Sequence, residues 1–426
     1  MMRFDQRTAT PLLIGALCFA EPAAAQSVLL PRNQQILKDA PAPTWSVGKE
    51  EGEGWQLLSN VSAAAFDARG NLYVLDAGNH RVLAFDPHGR FLRQIGKQGQ
   101  GPGEISFAVS MTVLSDGRVA VFDIGRSAYS LFKPDGKFIE QRAAGEYMPA
   151  GLGNGGLQAS PIGGVVTRVM QAFRMRPGEA PGPRKGFILH DALTGEEAGR
   201  KPLYEYELPA AKFSGREGSR ARMTIGGPRV FDPQISHGVL PDGGIALIDS
   251  ALFAIRISDA QGRTLRTIRR AETVRKATEK DREAAREQRR RALSGEGAGG
   301  PTVLMAVNAH GGGTGSSFSF GGGGVQLSAE QIEEQVKTME FAETIPLIQG
   351  LSTDPVGRIW VERWPREPGA IPDIELITAQ GRSIGTLRGV RRPAAVNADG
   401  TLAAWIERDE MDVERVIVRR LPASWK

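Results

Sequence analysis

The sequence predicts an all-β protein, a six-bladed β-propeller with four-stranded antiparallel blades. Three observations predict it. First, a pattern of apolar strand, short turn ending in glycine, and second apolar strand recurs six times, at Gly70, Gly117, Gly163, Gly243, Gly357 and Gly400. Second, three of the five intervals are 47, 46 and 43 residues, the length of one four-stranded blade. The other two, 80 and 114 residues, are a blade plus an insertion. Third, each copy continues alike, with a third apolar strand (RVLAF, YSLF, GFILH, FAIRIS, DIELIT, VERVIV) and, in the first five, a tight turn such as DPHG or DAQG. The 426 residues, 41 % hydrophobic and 24 % charged, are enough for a core of this size. The net charge of +5 does not by itself imply a nucleic-acid partner.

The chain opens with a leader. Arg3 and Arg7 precede an apolar run from Leu12 to Ala20, and Ala23-Ala24-Ala25-Gln26 offers a small-residue cleavage site after Ala25. The run is too short to span a bilayer, which needs about 20 helical residues, and it has the form of a secretory signal peptide. Residues 1–25 are therefore expected to be removed and 26–426 to form the propeller. The mature chain is expected to be extracytoplasmic, periplasmic or secreted, monomeric and without a transmembrane segment. Cys18 lies in the leader, so the mature chain has no cysteine for a disulfide or a zinc–thiolate site.

The sixth copy ends after its third strand. WSVGKEEGEGWQLLSNV, beginning at Trp45, parallels RQIGKQGQGPGEISFAV, beginning at Arg93, the outer strand of blade one. The N-terminal segment is thus expected to supply the outer strand of blade six, closing the ring and removing open sheet edges.

GNLYVLDAGNHRVLAF, from Gly70 to Phe85, resembles an NHL repeat, whose core is G-x-hydrophobic-x-V-x-D-x-x-N-x-R followed by an apolar strand; GKQGQGPGE resembles the linker between such blades. Blade two keeps Asp123 but lacks Asn-x-Arg. The resemblance implies a six-bladed ring of the TolB-like propeller superfamily, in agreement with the count. Asp76, Asn79 and Arg81 carry the motif. Asp76 can accept backbone N–H groups across the turn and pair with Arg81, and no partner base stands near them, so a structural role is expected.

Among the five histidines, only His237 falls in an innermost strand. Its aligned counterparts, Met111 and Leu351, are apolar, so a packed core histidine is expected at this axial position rather than a ligand. Propeller lactonases of the gluconolactonase type hold Ca²⁺ on their axis with Asp, Asn and Glu. Here the inner strands carry Ala63, Ala65, Ser110, Thr112, Ser236, Gly238, Gly350, Ser352 and Ala395. Asp67, Asp354 and Asn397 sit where turn formation alone would place them. No cofactor is expected, axial calcium being the one left open.

In a propeller the b–c and d–a connections leave one face, and the a–b and c–d turns leave the other. The long segments, about 171–185, 205–233 and 271–346 with a smaller loop RWPREPGAI, all belong to the first face, which is the expected working surface. The 271–346 insertion reads as a helix from Thr273 to Leu293, a stretch with 12 Gly in 295–324, and a short amphipathic helix capped by Ser328 with Ile332, Val336 and Met339 along one side. From Arg263 to Arg291 the local net charge is +7. Arg275, Lys276, Arg282, Arg286, Arg289 and Arg290 are therefore candidate contacts for an anionic partner. The leading functional reading is a non-enzymatic binding module whose partner is a protein, a polysaccharide or an anionic envelope component, with nucleic acid excluded by export. The alternative is a hydrolase or lyase, similar to gluconolactonase, working at the axial mouth.

Overall fold

The computed structural model describes residues 25–32, 34–149, 156–171, 184–194, 199–208, 212–214, 222–224, 229–294, 306–307, 318–319 and 328–425. Six sheets follow one another around a ring. Blade one is Val61–Phe66, Leu72–Asp76, Arg81–Phe85 and Phe91–Ile95, each strand antiparallel to the next. Blade two is Ala108–Val113, Val119–Asp123, Ala128–Phe132 and Phe138–Ala143. Blades four and five begin at Ser236–Val239 and Ile348–Thr353 and end at Thr264–Arg269 and Ser383–Leu387. In blade three, two short pieces, Tyr147–Pro149 and Leu157–Ala159, share the inner edge of Val165–Gln171. That division has no counterpart in the repeat pattern.

Burial explains why the strands read as they do. In blades one and two, the second strand is buried throughout, as are the third strand of blade two and all but the first residue of the third strand of blade one. Both faces of these strands are covered by neighbouring blades, so apolar residues run continuously instead of alternating. The outer strands alternate: Phe138–Ala143 goes from half-buried to exposed and back at every step. The turn glycines that revealed the repeat have φ between +70° and +97°, a region in which a Cβ is strained. The residue opening the same turn supplies the acceptor. The Asp67 carboxylate takes the N–H groups of Arg69 and Asn71, Asp354 those of Val356 and Arg358, and Asn397 Oδ1 those of Thr401 and Leu402. These three residues are turn-builders, as their positions implied.

The closure follows the sequence reading and extends it. Strand β2 (Ala42–Val47) pairs antiparallel with Glu414–Arg420, the third strand of blade six, with Trp45 opposite Val418. The segment before β2 is also used. Strand β1 (Gln26–Leu29) adds a parallel fifth strand to Thr264–Arg269 of blade four. Ile36 bridges Thr386 on the outer strand of blade five, with Leu37 N–H donating to Thr386 O at 2.9 Å and Thr386 N–H to Gln35 O at 2.8 Å. One stretch of chain therefore straps the rims of blades four, five and six, with Leu30 and Val47 buried beneath it.

The insertion differs from the expected layout. Helix α1 is Glu279–Ser294, not 273–293. Before it, Arg275–Lys276 pairs with Thr344–Ile345. Thr278 and Asp281 set the helix start: Thr278 N–H donates to Asp281 Oδ2 at 2.9 Å, and Asp281 N–H to Thr278 Oγ1 at 3.3 Å, a reciprocal cap. Helix α2 is Ala329–Lys337, with Ser328 in the expected capping box. Val336 is buried and Ile332 half-buried, while Met339 lies beyond the helix end. Most of the glycine-rich stretch, the blade-three loop at 172–183 and the leader at 1–24 lie outside the described residues. The outer strand of blade three runs on as Arg200–Leu208, so the connection expected to begin near Glu205 starts later.

A chain truncated before Lys49 loses β1, the Ile36 bridge and β2. Leu30 and Val47 alone represent about 3–6 kcal/mol of burial. Thermal denaturation should show the truncated protein melting several degrees lower; an unchanged melting temperature contradicts the closure.

Candidate functional site

Asp76 is fully buried and accepts three hydrogen bonds: from Ser59 N–H at 2.8 Å, Asn79 Nδ2 at 2.9 Å and Arg81 Nε at 2.8 Å. Arg81 also donates to Gly54 O at 2.8 Å and Leu57 O at 3.0 Å, and Asn79 Nδ2 reaches the Leu57 carbonyl at 3.0 Å. The acid thus takes the N–H of the incoming linker while Arg81 and Asn79 take its carbonyls. The motif is a latch holding the connection from β2 into blade one, and it satisfies backbone groups that would otherwise be left unpaired. Blade two repeats it without the expected spacing. Asp123 accepts Ser106 N–H at 2.7 Å and Phe107 N–H at 3.1 Å, and Arg126 donates to the carbonyls of Gly99 at 2.9 Å and Gly101 at 3.2 Å.

At the axis, the inner strands succeed one another and bond across blades. Gln158 of blade three donates to His237 O at 3.1 Å and accepts Val239 N–H at 3.0 Å. Ser236 and Thr353 join blades four and five through Leu351 and Val239. His237 is 4 % exposed, and its Nε2 has no hydrogen-bond partner. Burial, helped by the nearby Arg168 charge, pushes its pKa down to about 3, so the ring is neutral at physiological pH. Among the described residues no group of three or more His, Cys, Asp or Glu is arranged to hold a metal ion. His237 therefore stands in the geometry of a packed inner-strand residue.

The loop-rich face is built, not merely decorated. At the root of the insertion Arg270 makes a bidentate pair with Glu375 at 2.8 and 2.7 Å, and Glu272 bridges Arg270 at 3.1 Å and Arg363 at 2.5 Å. Both guanidinium groups lie over the Phe253 ring, at 4.4 and 5.0 Å. Beside this cluster, chain from three connections forms a small core. Phe231 packs against Phe341 and, edge-on, against Trp364 of the RWPREPG loop, with Ala277, Ala342 and Ile345 buried around them. Val230 and Phe341 are bridged in parallel, which ties the connection before blade four to the insertion before blade five.

The arginines singled out in the sequence lie on this platform, but most are engaged within it. Arg275 holds Asp281 through two bonds of 2.7 and 2.8 Å, keeping that carboxyl well below the usual carboxylate range. Arg282 pairs with Glu279, Arg286 with Glu279 and Glu283, and Arg290 with Glu283, Glu287 and Glu333 of α2. Arg289 donates to Gln335 at 3.3 Å. Of the six, only Lys276 has neither an ion pair nor a side-chain hydrogen bond among the described residues. The reason is visible in the charges: α1 has six cations and four acids, while α2 has one cation and three acids, so the packed helices cancel. The candidate contacts on α1 thus lie against an acidic helix, and the two helices together carry no net charge. Sequence inspection missed exposed apolar residues on the same face. Leu252, Ile371 and Met411 stand 50, 49 and 66 % exposed on the b–c connections of blades four, five and six.

The chain is a six-bladed β-propeller. Residues 56–144 match the model of a family (DUF5128) described as a 6-bladed beta-propeller. No curated protein matches the sequence. The fold is similar to that of a candidate exported protein of Bacteroides fragilis, at 10 % identity and a TM-score of 0.45 over 93 % of this chain and 99 % of that one. It is also similar to a member of the DUF4221 family from Bacteroides vulgatus, at 12 % identity and 0.45 over 89 % and 98 %. A gluconolactonase of Xanthomonas campestris matches at 11 % identity and 0.33 over 89 % and 87 %. These likenesses transfer no activity to this chain.

His237 gives a pH test. A histidine whose folded pKa lies below its unfolded value binds fewer protons folded than unfolded between the two. Stability should therefore fall as pH drops below about 6.5, by about 1.4 kcal/mol per unit. Between pH 6 and about 5, above the usual carboxylate range, denaturant titrations should show this slope in the native chain and a flatter one in His237→Phe. An equal slope in both would contradict the buried neutral ring.

Proposed function

We infer that the protein is an exported propeller that binds a protein partner through its loop-rich face. The observation that carries this reading is the platform. Separate connections meet over one aromatic core, anchored by the buried Arg270–Glu375 pair, and stand beside three consecutive blades that each present an exposed apolar side chain. Rigid loops on a propeller scaffold are where recognition concentrates, and a protein partner would bury the apolar side chains that stand in the open there. Charge neutrality favours a protein surface over a polyanion, because paired arginines would first have to give up their carboxylates. The export component rests on the leader sequence. Cleavage after Ala25 leaves Gln26–Leu29 whole for its pairing with blade four. No helix among the described residues is long and apolar enough to cross a membrane.

Leu252→Asp, Ile371→Asp and Met411→Asp combined should leave the melting temperature nearly unchanged, since all three side chains are largely exposed. Mature chain purified from an exporting host should begin at Gln26. Immobilised on beads, it should retain a specific protein from envelope extracts that the triple variant loses. An identical set of captured proteins for both chains, or an intact leader on the exported protein, contradicts the reading.

A further inference from the structure

The opposite face carries a feature that loop-face binding does not use. Between blades six and one, at the seam where the chain's two ends share a blade, lies a cleft of about 600 Å³. That is within the range of small-molecule sites. Its walls are the first turns of blades one and six, the last turn of blade one and the end of the third strand of blade six, and β2 supplies Thr44 and Trp45. The walls are fixed. Trp45 Nε1 donates to Pro87 O at 3.1 Å, and its indole lies so close to Gly89 that a Cβ there would sit 2.7 Å from the ring. Asn397 Oδ1 holds Thr401 N–H at 3.0 Å, and Leu421 N–H donates to Thr401 O at 2.8 Å.

The charges on the cleft are unbalanced. Arg69 and Arg420 border it, and neither has an ion pair or a side-chain hydrogen bond among the described residues. In the first turn of blade one the turn carboxylate, Asp67, is taken up by Asn71 Nδ2 at 2.8 Å, which leaves Arg69 without a partner there. His88 adds a further nitrogen donor to the wall. The one carboxylate there, Asp399, already accepts from Thr401 N–H at 3.0 Å and Thr401 Oγ1 at 2.6 Å. Two exposed guanidiniums with no protein carboxylate are open to an oxyanion, which arginine binds through paired donors. The Thr44 and Thr401 hydroxyls donate within the fold, to Val418 O at 2.8 Å and Asp399 Oδ1 at 2.6 Å, and so face a ligand with their acceptor lone pairs, which suit sugar hydroxyls; an indole wall suits the apolar side of a sugar ring.

We propose that this seam cleft binds a small acidic saccharide, a sugar bearing a carboxylate or a phosphate. Because the ligand would touch β2 and blade six on one side and blade one on the other, its binding is linked to ring closure. A ligand that binds only the closed ring raises its stability with concentration.

The test uses the full mature chain, with digalacturonic acid, glucose 6-phosphate, the neutral sugar cellobiose and inorganic phosphate as probes, read by calorimetric titration and thermal melting. One of the two acidic sugars should bind and raise the melting temperature progressively, and the better of them identifies the oxyanion. Cellobiose and inorganic phosphate should each bind at least about tenfold more weakly, a loss of one good interaction. Arg69→Gln with Arg420→Gln, both side chains outside the core, should keep the unliganded melting temperature and weaken acidic-sugar binding by about tenfold or more. Failure of both acidic sugars to bind, equal binding of cellobiose or of inorganic phosphate, or full affinity in the double variant would each overturn the proposal. The Leu252, Ile371 and Met411 triple variant should bind the sugar normally, so the outcome does not depend on the loop-face reading.

Discussion

Everything in this molecule depends on one constraint: a ring of sheets must be closed, or its last sheet leaves an unpaired edge. Blade six is where closure happens, and it is the most compromised blade. Its inner strand is only Ala395–Val396, while its two middle strands, Leu402–Arg408 and Glu414–Arg420, are seven residues each. The outer strand comes from the other end of the chain. The same N-terminal segment reaches blade six by way of blades four and five, pairing with each rim as it passes. A single stretch thereby covers edges on three consecutive blades. Directly after it, the Asp76–Asn79–Arg81 latch fixes the connection into blade one. Belt and latch together carry the closure from blade four round to blade one.

How much of this was legible depended on the physics behind each signal. The turns were legible because a positive φ selects glycine, and because a turn's free N–H groups select Asp or Asn at its start. Asp67, Asp354 and Asn397 obey both rules. The closing strand was legible because Trp45 and its neighbours copy the outer strand of blade one. The belt was not: Gln26–Leu29 is four residues long, and Ile36 makes a single bridge, so neither offers a period to detect. Blade two's latch was hidden because Arg126 does the work of Arg81 from a different spacing. A guanidinium is long enough to reach linker carbonyls from another turn geometry.

The insertion shows a different limit. A local net charge of +7 over 263–291 was a true count, but it did not include the partner helix. Glu330, Glu333 and Glu334 come from more than thirty residues downstream of Arg291, and only packing brings them to α1. The start of α1 was recoverable, since Thr278-x-x-Asp281 has the form of a capping box. The two faces carry different features. One presents a paired, helix-bearing platform with bare apolar side chains. The other presents a polar cleft with unpaired arginines at the seam. The cleft exists only because two chain ends meet there, so architecture and ligand chemistry share one origin.

Native-state hydrogen exchange tests the closure most directly. If the ring is a single cooperative unit, the amides of Ala42–Val47 and Glu414–Arg420 should exchange at the same free energy as those of Leu72–Asp76 and Val119–Asp123 in blades one and two. Seam amides that exchange many-fold faster, while blades one and two stay protected, would show the N-terminal strand as a fraying appendage and contradict the account.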